Sequence, residues 1–414
     1  MGGSGVQRPL KFIKYLREFG WNPIVLCPET GSYQVFDGSL QKELDEMNIE
    51  VYRVKASTPF HFLGQKKSKN LISVSNKKAQ FLRKISKLIY YPDNKRAWIK
   101  PAITKGKELF EEKNIDLIFS SAPPFSNHLA ASELKKITGV PVVLDYRDSW
   151  LNNHFMTDMF SWQRKIMMKM ERSCLENADT IIGLDKHMVN DISNNHPELK
   201  LKTEIVSHGF DPEDFNLDMD TKFDYKKGKL NLLYSGLFYE SNQPDILLEA
   251  LEAIFKDDSD VKNKIHLHFQ GGLDKRINKL IEKLGFTSIV TDYGYLNHNE
   301  AVKNLVKADA LWMISNFSEN LKQIKSGKLF EYIGSEKPII GFVHEGEASK
   351  LLETYKAGFF ASPNNSTQVK RVIKDFLVKW EAGDLPTPNQ GVIQKHNRKF
   401  LTNELASIFN VISA

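Results

Sequence analysis

The sequence predicts an α/β protein of two doubly wound parallel-sheet units, and three observations carry that expectation. Short apolar runs alternate with amphipathic helical segments from end to end, as they do where crossover helices return the chain to lay parallel strands side by side. That alternation stops at a polar stretch near the middle and then starts again. At 414 residues the chain is too long for one ordinary core and suits two of about 200 residues each.

In the first half, runs rich in β-branched residues predict strands at 23–27, 49–54, 116–120, 140–144, 180–184 and 203–206. Apolar residues at helical spacing predict helices at 8–19, 125–137, 161–176 and 186–194. Residues 211–229, with six acids and few large apolar side chains, read as a linker. Strands resume at 230–235, 265–269, 289–293, 308–314, 338–342 and 358–361, with helices in the intervals. Residues 384–394, rich in Pro, Gly and Asn, break the pattern before a final helix over 395–412. The expected domains are 1–212, with a basic insertion at 64–107, then 213–388, and a terminal helix within 389–414 that crosses back to the first domain. Two such units facing each other would place a cleft at the carboxyl ends of both sheets, where ligands bind in this architecture.

Gly2-Gly3-Ser4-Gly5 ahead of a helix looks like the glycine-rich turn that follows a first strand, with Gly3, Ser4 and Gly5 allowing a phosphate or sugar to approach the helix N-terminus. The strand that should feed this turn is missing from the sequence, so one position of the first sheet is expected to be empty.

Composition bounds the partners. Two cysteines, Cys27 and Cys174, give neither a disulfide framework nor a spaced metal cluster, which fits a cytoplasmic location. No apolar run approaches the roughly eighteen residues needed to span a bilayer. The net charge of +6 is uneven: residues 66–107 hold thirteen bases against one acid, Asp93, for +12. Within that stretch Phe81, Leu82, Ile85, Leu88 and Ile89 recur at helical spacing. Such a helix suits an anionic membrane surface, at the inner face of the cytoplasmic membrane, or else packs its apolar stripe on its own domain. No helix-turn-helix, zinc or aromatic RNA-binding signature accompanies the charge, so nucleic acid is not an expected partner.

The most informative segment is 326–340, SGKLFEYIGSEKPII. Lys328 falls in the first turn of an expected helix, whose amino end already carries about half a positive charge. A lysine there makes sense if an anion binds. Ser326 can cap the helix, Gly327 lets a ligand approach the backbone, and Lys328 adds charge to a site suited to phosphate. Glu331, one turn on, can accept two hydrogen bonds from a ribose, although a Lys and Glu at this spacing also form ordinary solvated surface pairs.

The chain resembles the retaining glycosyltransferases of family 4, specifically a bacterial subgroup that makes surface polysaccharides. Along most of the chain the likeness rests on Gly2-Gly3-Ser4-Gly5-Val6-Gln7-Arg8-Pro9, Ser121-Ala122-Pro123-Pro124 with His128, Leu144-Asp145-Tyr146-Arg147-Asp148-Ser149-Trp150, Ala178-Asp179, Ser207-His208-Gly209-Phe210-Asp211, Tyr234-Ser235-Gly236-Leu237, and Lys328-Leu329-Phe330-Glu331-Tyr332 with Lys337-Pro338-Ile339. The resemblance implies the GT-B fold of two facing Rossmann-like domains. It also implies transfer of a hexose from a nucleotide-diphosphate sugar to a lipid-linked or oligosaccharide acceptor. The nucleotide sugar serves as co-substrate, and no metal or other cofactor is expected; Asp218-Met219-Asp220 lies in the acidic linker.

By the same resemblance Glu331 matches the second glutamate of an E-x7-E pattern, which holds the donor ribose, whereas Gln323 stands where the first is expected. An amide supplies hydrogen bonds there but no charge. The Arg and Lys that often follow the first glycine of the second domain are replaced by Leu237, Phe238 and Tyr239. Lys328 and the N–H groups of 326–328 are the expected substitutes, with Ser235 and Gly236 giving close backbone approach. Arg147 and Asp148 are the candidates for contacting the reacting sugar and acceptor. Asp148 would take the acceptor proton, with an Asp145-Arg147-Asp148 ion network as the structural alternative. His128 and His208 are candidate acceptor-side groups, His128 being more often a surface histidine, and Tyr293 is a candidate to flank the base. The alternatives are a GT-B sugar epimerase or an inactive, membrane-binding relative.

Overall fold

The computed structural model describes residues 4–29, 38–55, 91–152, 159–216, 223–238, 242–315 and 327–414. Two compact units result, Met1–Ser207 with Leu401–Ala414, and His208–Phe400.

In the first unit, α1 (Ser4–Leu16) begins earlier than apolar spacing alone indicates, because Pro9 is tolerated inside it. Proline has no N–H to give the carbonyl four residues back, that of Gly5. The Gly5 carbonyl accepts from the Arg147 guanidinium instead. Gly5 also lacks the Cβ that would collide with Arg147. Strands β1 (Ile24–Pro28) and β2 (Glu50–Val54) pair as a two-stranded parallel sheet. A second parallel sheet runs β3 (Ile118–Ala122), β4 (Val142–Tyr146), β5 (Thr180–Gly183), β6 (Thr203–Ile205), so the strands of this unit fall in two sheets rather than one. The helices are α2 (Gly38–Glu46), α3 (Ile99–Glu112), α4 (Ser126–Thr138), α5 (Ser161–Leu175) and α6 (Lys186–Asn195).

β4 is buried along its length, as a strand covered on both faces must be. Its alternate residues serve different cores. Leu144 and Tyr146 join Phe125, Trp150, Met167 and Cys174 on one side, while Val143 joins Phe12, Ile182 and the terminal-helix residues Leu401, Leu405 and Phe409 on the other. The described end of the basic insertion is α3, whose Ala102, Gly106 and Leu109 face inward, with Gly106 against Leu134 of α4. Here the apolar stripe packs on its own unit, and Lys100 and Lys107 face solvent. The apolar series from Phe81 to Ile89 lies outside the described residues.

The second unit is built on one six-stranded parallel sheet. Its strands are β7 (Leu230–Ser235), β8 (Ile265–Gln270), β9 (Val290–Asp292), β10 (Ala310–Ser315), β11 (Ile339–Val343) and β12 (Gly358–Ala361), in the order β12-β11-β10-β7-β8-β9. Between and after them run α7 (Asp245–Asp257), α8 (Val261–Lys264), α9 (Lys275–Lys283), α10 (His298–Lys307), α11 (Gly327–Gly334), α12 (Glu347–Tyr355), α13 (Ser366–Ala382) and α14 (Gln390–Lys395). The chain adds β8 and β9 on one side of β7, then jumps to β10 on the other. The carboxyl end of β7, between β8 and β10, is thus the switch point at which ligands bind in open α/β sheets.

The unit boundary falls a few residues ahead of 212, because Phe210 sits in the second unit's core with Leu329, Tyr332 and Ile333 and exchanges backbone bonds with His396 and Arg398. The acidic linker is partly ordered structure: Pro212–Phe215 is a short helical turn, and the Tyr225 hydroxyl donates to Asp309 at 2.9 Å. The stretch expected as a break holds the short helix α14, and the final helix is α15 (Arg398–Ser413), which from Leu401 on belongs to the first unit.

Candidate active site

In the second unit the switch point is lined by glycine turns. Gly236 follows β7 at φ +120°, and Gly271 follows β8 at φ +128°, conformations that side-chain-bearing residues rarely adopt. A Cβ on Gly271 would occupy the Gly236 carbonyl, and one on Gly236 would occupy the Lys328 side chain. Lys328, in the first turn of α11, therefore reaches the carboxyl end of β7 through space that only glycine leaves open. Its ammonium donates to the Tyr234 hydroxyl at 2.8 Å and the Leu237 carbonyl at 3.2 Å. An ammonium has three donors, so one is left after these two. Burial brings the Lys328 pKa down to about 8, with Glu331 opposing the shift.

No acid lies in the first turn of α11, whose leading N–H groups have no partner within the helix. The strand end is held firmly: the Ser235 N–H donates to the buried Tyr332 hydroxyl at 2.8 Å, and Ser235 Oγ accepts from Gln270 at 2.9 Å. Gln270 is fixed in turn by Asn304 at 3.0 Å. Of the residues that stand where Arg and Lys often do, Phe238 stacks on Tyr234 at 4.1 Å and packs against the core.

Glu331 lies one turn beyond Lys328, with its carboxylate 4.0 Å from His298 Nδ1. His298 Nε2 is 2.9 Å from the Asp214 carboxylate. The imidazole is thus within hydrogen-bond reach of Asp214 and lies beside Glu331, a grouping that sequence inspection missed; Asp214 just after Pro212 in an acidic turn was the only signal. Tyr293 is used inside the unit. Its hydroxyl accepts from the Asp224 N–H at 2.9 Å and lies 3.0 Å from His268 Nδ1, and its ring stacks with Phe223. The His208 carbonyl is 3.3 Å from His396 Nδ1, and its ring lies 5.9 Å from Phe330, a neighbour of Lys328 on α11.

In the first unit, Arg147 is spent on backbone. Its guanidinium donates to the carbonyls of Gly5, Ala122 and Pro123, joining the start of α1 to the loop after β3. Burial lowers its pKa, with Asp145 and Asp148 opposing. Asp145 belongs mainly to Arg8: the two side chains are 1% and 0% exposed and 2.7 Å apart, and Ser121 donates to the same carboxylate at 2.6 Å. Arg8 also bonds the Val206 and Ser207 carbonyls. Burial raises the Asp145 pKa, but Arg8, Ser121 and Arg147 together bring it below the usual carboxylate value. The structural alternative to catalysis here thus involves Arg8, which the sequence analysis did not single out. Its signal was a charged side chain in line with Phe12 and Tyr15 on the apolar stripe of α1.

His128 is not a surface histidine. It is fully buried, with Nδ1 2.8 Å from Ser120 Oγ, and burial brings its pKa to about 3, so it is neutral at pH 7. Among the remaining candidates, Gly3, Gln323 and Ser326 lie outside the described residues, as does the side chain of Ser4. Among the described residues no group of three or more His, Cys, Asp or Glu could hold a metal.

The second unit thus sets a lysine and a glutamate of one helix beside the switch point of a six-stranded parallel sheet. The family model described as Glycosyl transferases group 1 matches residues 218–385, so the second unit carries a domain of that family. No curated protein matches the chain. Among solved structures, a glycosyltransferase from Rickettsia africae ESF-5 is similar at 17% identity, covering 100% of this chain and 96% of that one with a TM-score of 0.65. Anabaena Alr3699/HepE in complex with UDP is similar at 13%, covering 99% and 94% with a TM-score of 0.57. Sucrose-phosphate synthase from Thermosynechococcus elongatus follows at 15%, covering 100% and 91% with a TM-score of 0.56. Identities this low establish the fold alone, the GT-B pair of Rossmann-like domains.

Proposed function

We propose that this protein is a retaining glycosyltransferase that moves a hexose from a nucleotide-diphosphate sugar to a lipid-linked or oligosaccharide acceptor in surface polysaccharide synthesis. One observation carries the donor side: Lys328, partly desolvated, placed by Gly236 at the switch point and left with a free donor. Breaking the anomeric C–O bond sends its electron pair onto the diphosphate, and the fixed ammonium with the leading N–H groups of α11 stabilises the charge that builds there. Glu331, with His298 beside it, accepts from the ribose hydroxyls. The acceptor oxygen bonds to the anomeric carbon on the face the diphosphate leaves, and its proton passes to the departing phosphate oxygen. Arg147 serves as a positioning residue, holding the loops at Gly5 and Pro123, beside Asp148. Association with the inner face of the cytoplasmic membrane belongs to the same proposal; among the described residues no helix is long and apolar enough to cross a bilayer.

The test is a panel of nucleoside diphosphates scored by thermal stabilisation, since a ligand that binds only the folded state raises stability by mass action. One nucleotide should stabilise the protein, its sugar conjugate should be turned over, and Glu331→Ala should lose both. Stabilisation by none of UDP, GDP or ADP would overturn the assignment.

A further inference from the structure

Phe160 and Trp162, at the start of α5, are 57% and 49% exposed, and their rings stack with centroids 6.5 Å apart and planes at 9°. The protrusion is built rather than frayed. The Phe160 N–H donates to Gln163 Oε1 at 2.8 Å, the Gln163 amide donates to the Tyr91 hydroxyl at 2.6 Å, and the Tyr91 ring meets Trp162 edge-on at 6.1 Å. From Trp162 the outward face of α5 continues through Lys165, Lys169 and Arg172, all exposed, while Gln163, Met167, Glu171 and Cys174 face inward. Glu171 is buried against His196, and Arg172 pairs with Glu176 and Glu198. Lys165 and Lys169 have no acidic partner among the described residues.

We infer that this face of α5 docks on an anionic lipid bilayer, with Phe160 and Trp162 entering the headgroup boundary and Lys165 and Lys169 meeting lipid phosphates. Aromatic rings favour that boundary, and flexible lysines beside it reach phosphates without a shaped partner surface. Each unpaired cation near such a surface strengthens binding about fivefold. The inference deepens the membrane side of the proposed function and uses none of the donor-site residues.

The full chain is sedimented with vesicles of phosphatidylcholine, alone or mixed with phosphatidylglycerol. It should bind the mixed vesicles, more weakly as salt rises, and the neutral ones at least tenfold less. Phe160→Ser with Trp162→Ser, and separately Lys165→Glu with Lys169→Glu, should each weaken binding at least tenfold while keeping the wild-type melting temperature and nucleotide response. Unchanged vesicle binding by either variant would overturn the inference and assign any binding to another segment. So would a wild-type dimer in solution that the aromatic variant disperses, since the pair would then cover a second copy. A chain that binds vesicles but no nucleotide sinks the transferase assignment and leaves this inference standing.

Discussion

On the proposed function, Lys328 would couple donor binding to pH. With its pKa near 8, about nine-tenths of the chains carry the charge at pH 7 and about one-tenth at pH 9. If a diphosphate requires the charged form, its Kd should rise roughly tenfold between those values, or about 1.4 kcal/mol. Folding runs the other way. A lysine whose pKa falls on folding disfavours its charged form in the native state, so the unliganded protein should gain stability as pH rises from about 8 to 10.5, by at most about 3 kcal/mol. Calorimetry at pH 7, 8 and 9, in two buffers of different ionisation heat, measures both affinity and proton uptake. Uptake should approach one proton per diphosphate at pH 9 and be near zero at pH 7. Lys328→Met should bind about thirtyfold more weakly at pH 7, the worth of a charge-assisted hydrogen bond of about 2 kcal/mol, and should lose the uptake. If Lys328→Met keeps the same affinity slope and the same proton uptake, the ammonium does not touch the diphosphate.

Three further outcomes follow from the geometry. Gly236→Ala introduces a side chain at φ +120° and into Lys328, so denaturant unfolding should show a loss of about 2 kcal/mol or more, together with loss of nucleotide stabilisation. His298→Ala removes the imidazole beside Glu331 and should raise the donor KM about tenfold with a smaller effect on kcat, which His298→Asn partly restores; equal losses in kcat would place His298 in the chemical step instead. Arg8→Met strands Asp145 in the core and should cost about 3–5 kcal/mol by urea titration, whereas a loss under about 1 kcal/mol would mean that water reaches the carboxylate.

What the sequence disclosed, and what it hid, divides by the range of the interaction. Strand positions such as 230–235 and 265–269 were legible because alternation and apolar runs are local, and the structure places β7 and β8 on them. Lys328 stood out because a base in the first turn of a helix conflicts with the helix dipole, and the structure places its side chain against Gly236 at the end of β7. The start of α1 was hidden by Pro9, and the carbonyl that it leaves without a helix donor is taken by Arg147, far along the chain. Tyr293 shows the same limit in reverse. An aromatic near a strand end can serve a base or a neighbour, and the contacts of Tyr293 with Phe223 and Asp224 are set by a segment about 70 residues away, beyond the reach of local pattern. The Arg8–Asp145 and His298–Asp214 pairs arise from strand order and loop placement, which pairwise spacing does not encode.

The Gly5 carbonyl has a consequence for transplanting loops between relatives. A proline in α1 withholds one donor, and an arginine 142 residues away supplies it. Neither side is a self-sufficient module. A graft that brings in an ordinary residue at position 9 provides a local competitor for the oxygen and releases Arg147, whereas a graft that removes the arginine leaves the oxygen to solvent. Chimeras of this fold should therefore exchange the opening helix and the 144–150 segment together.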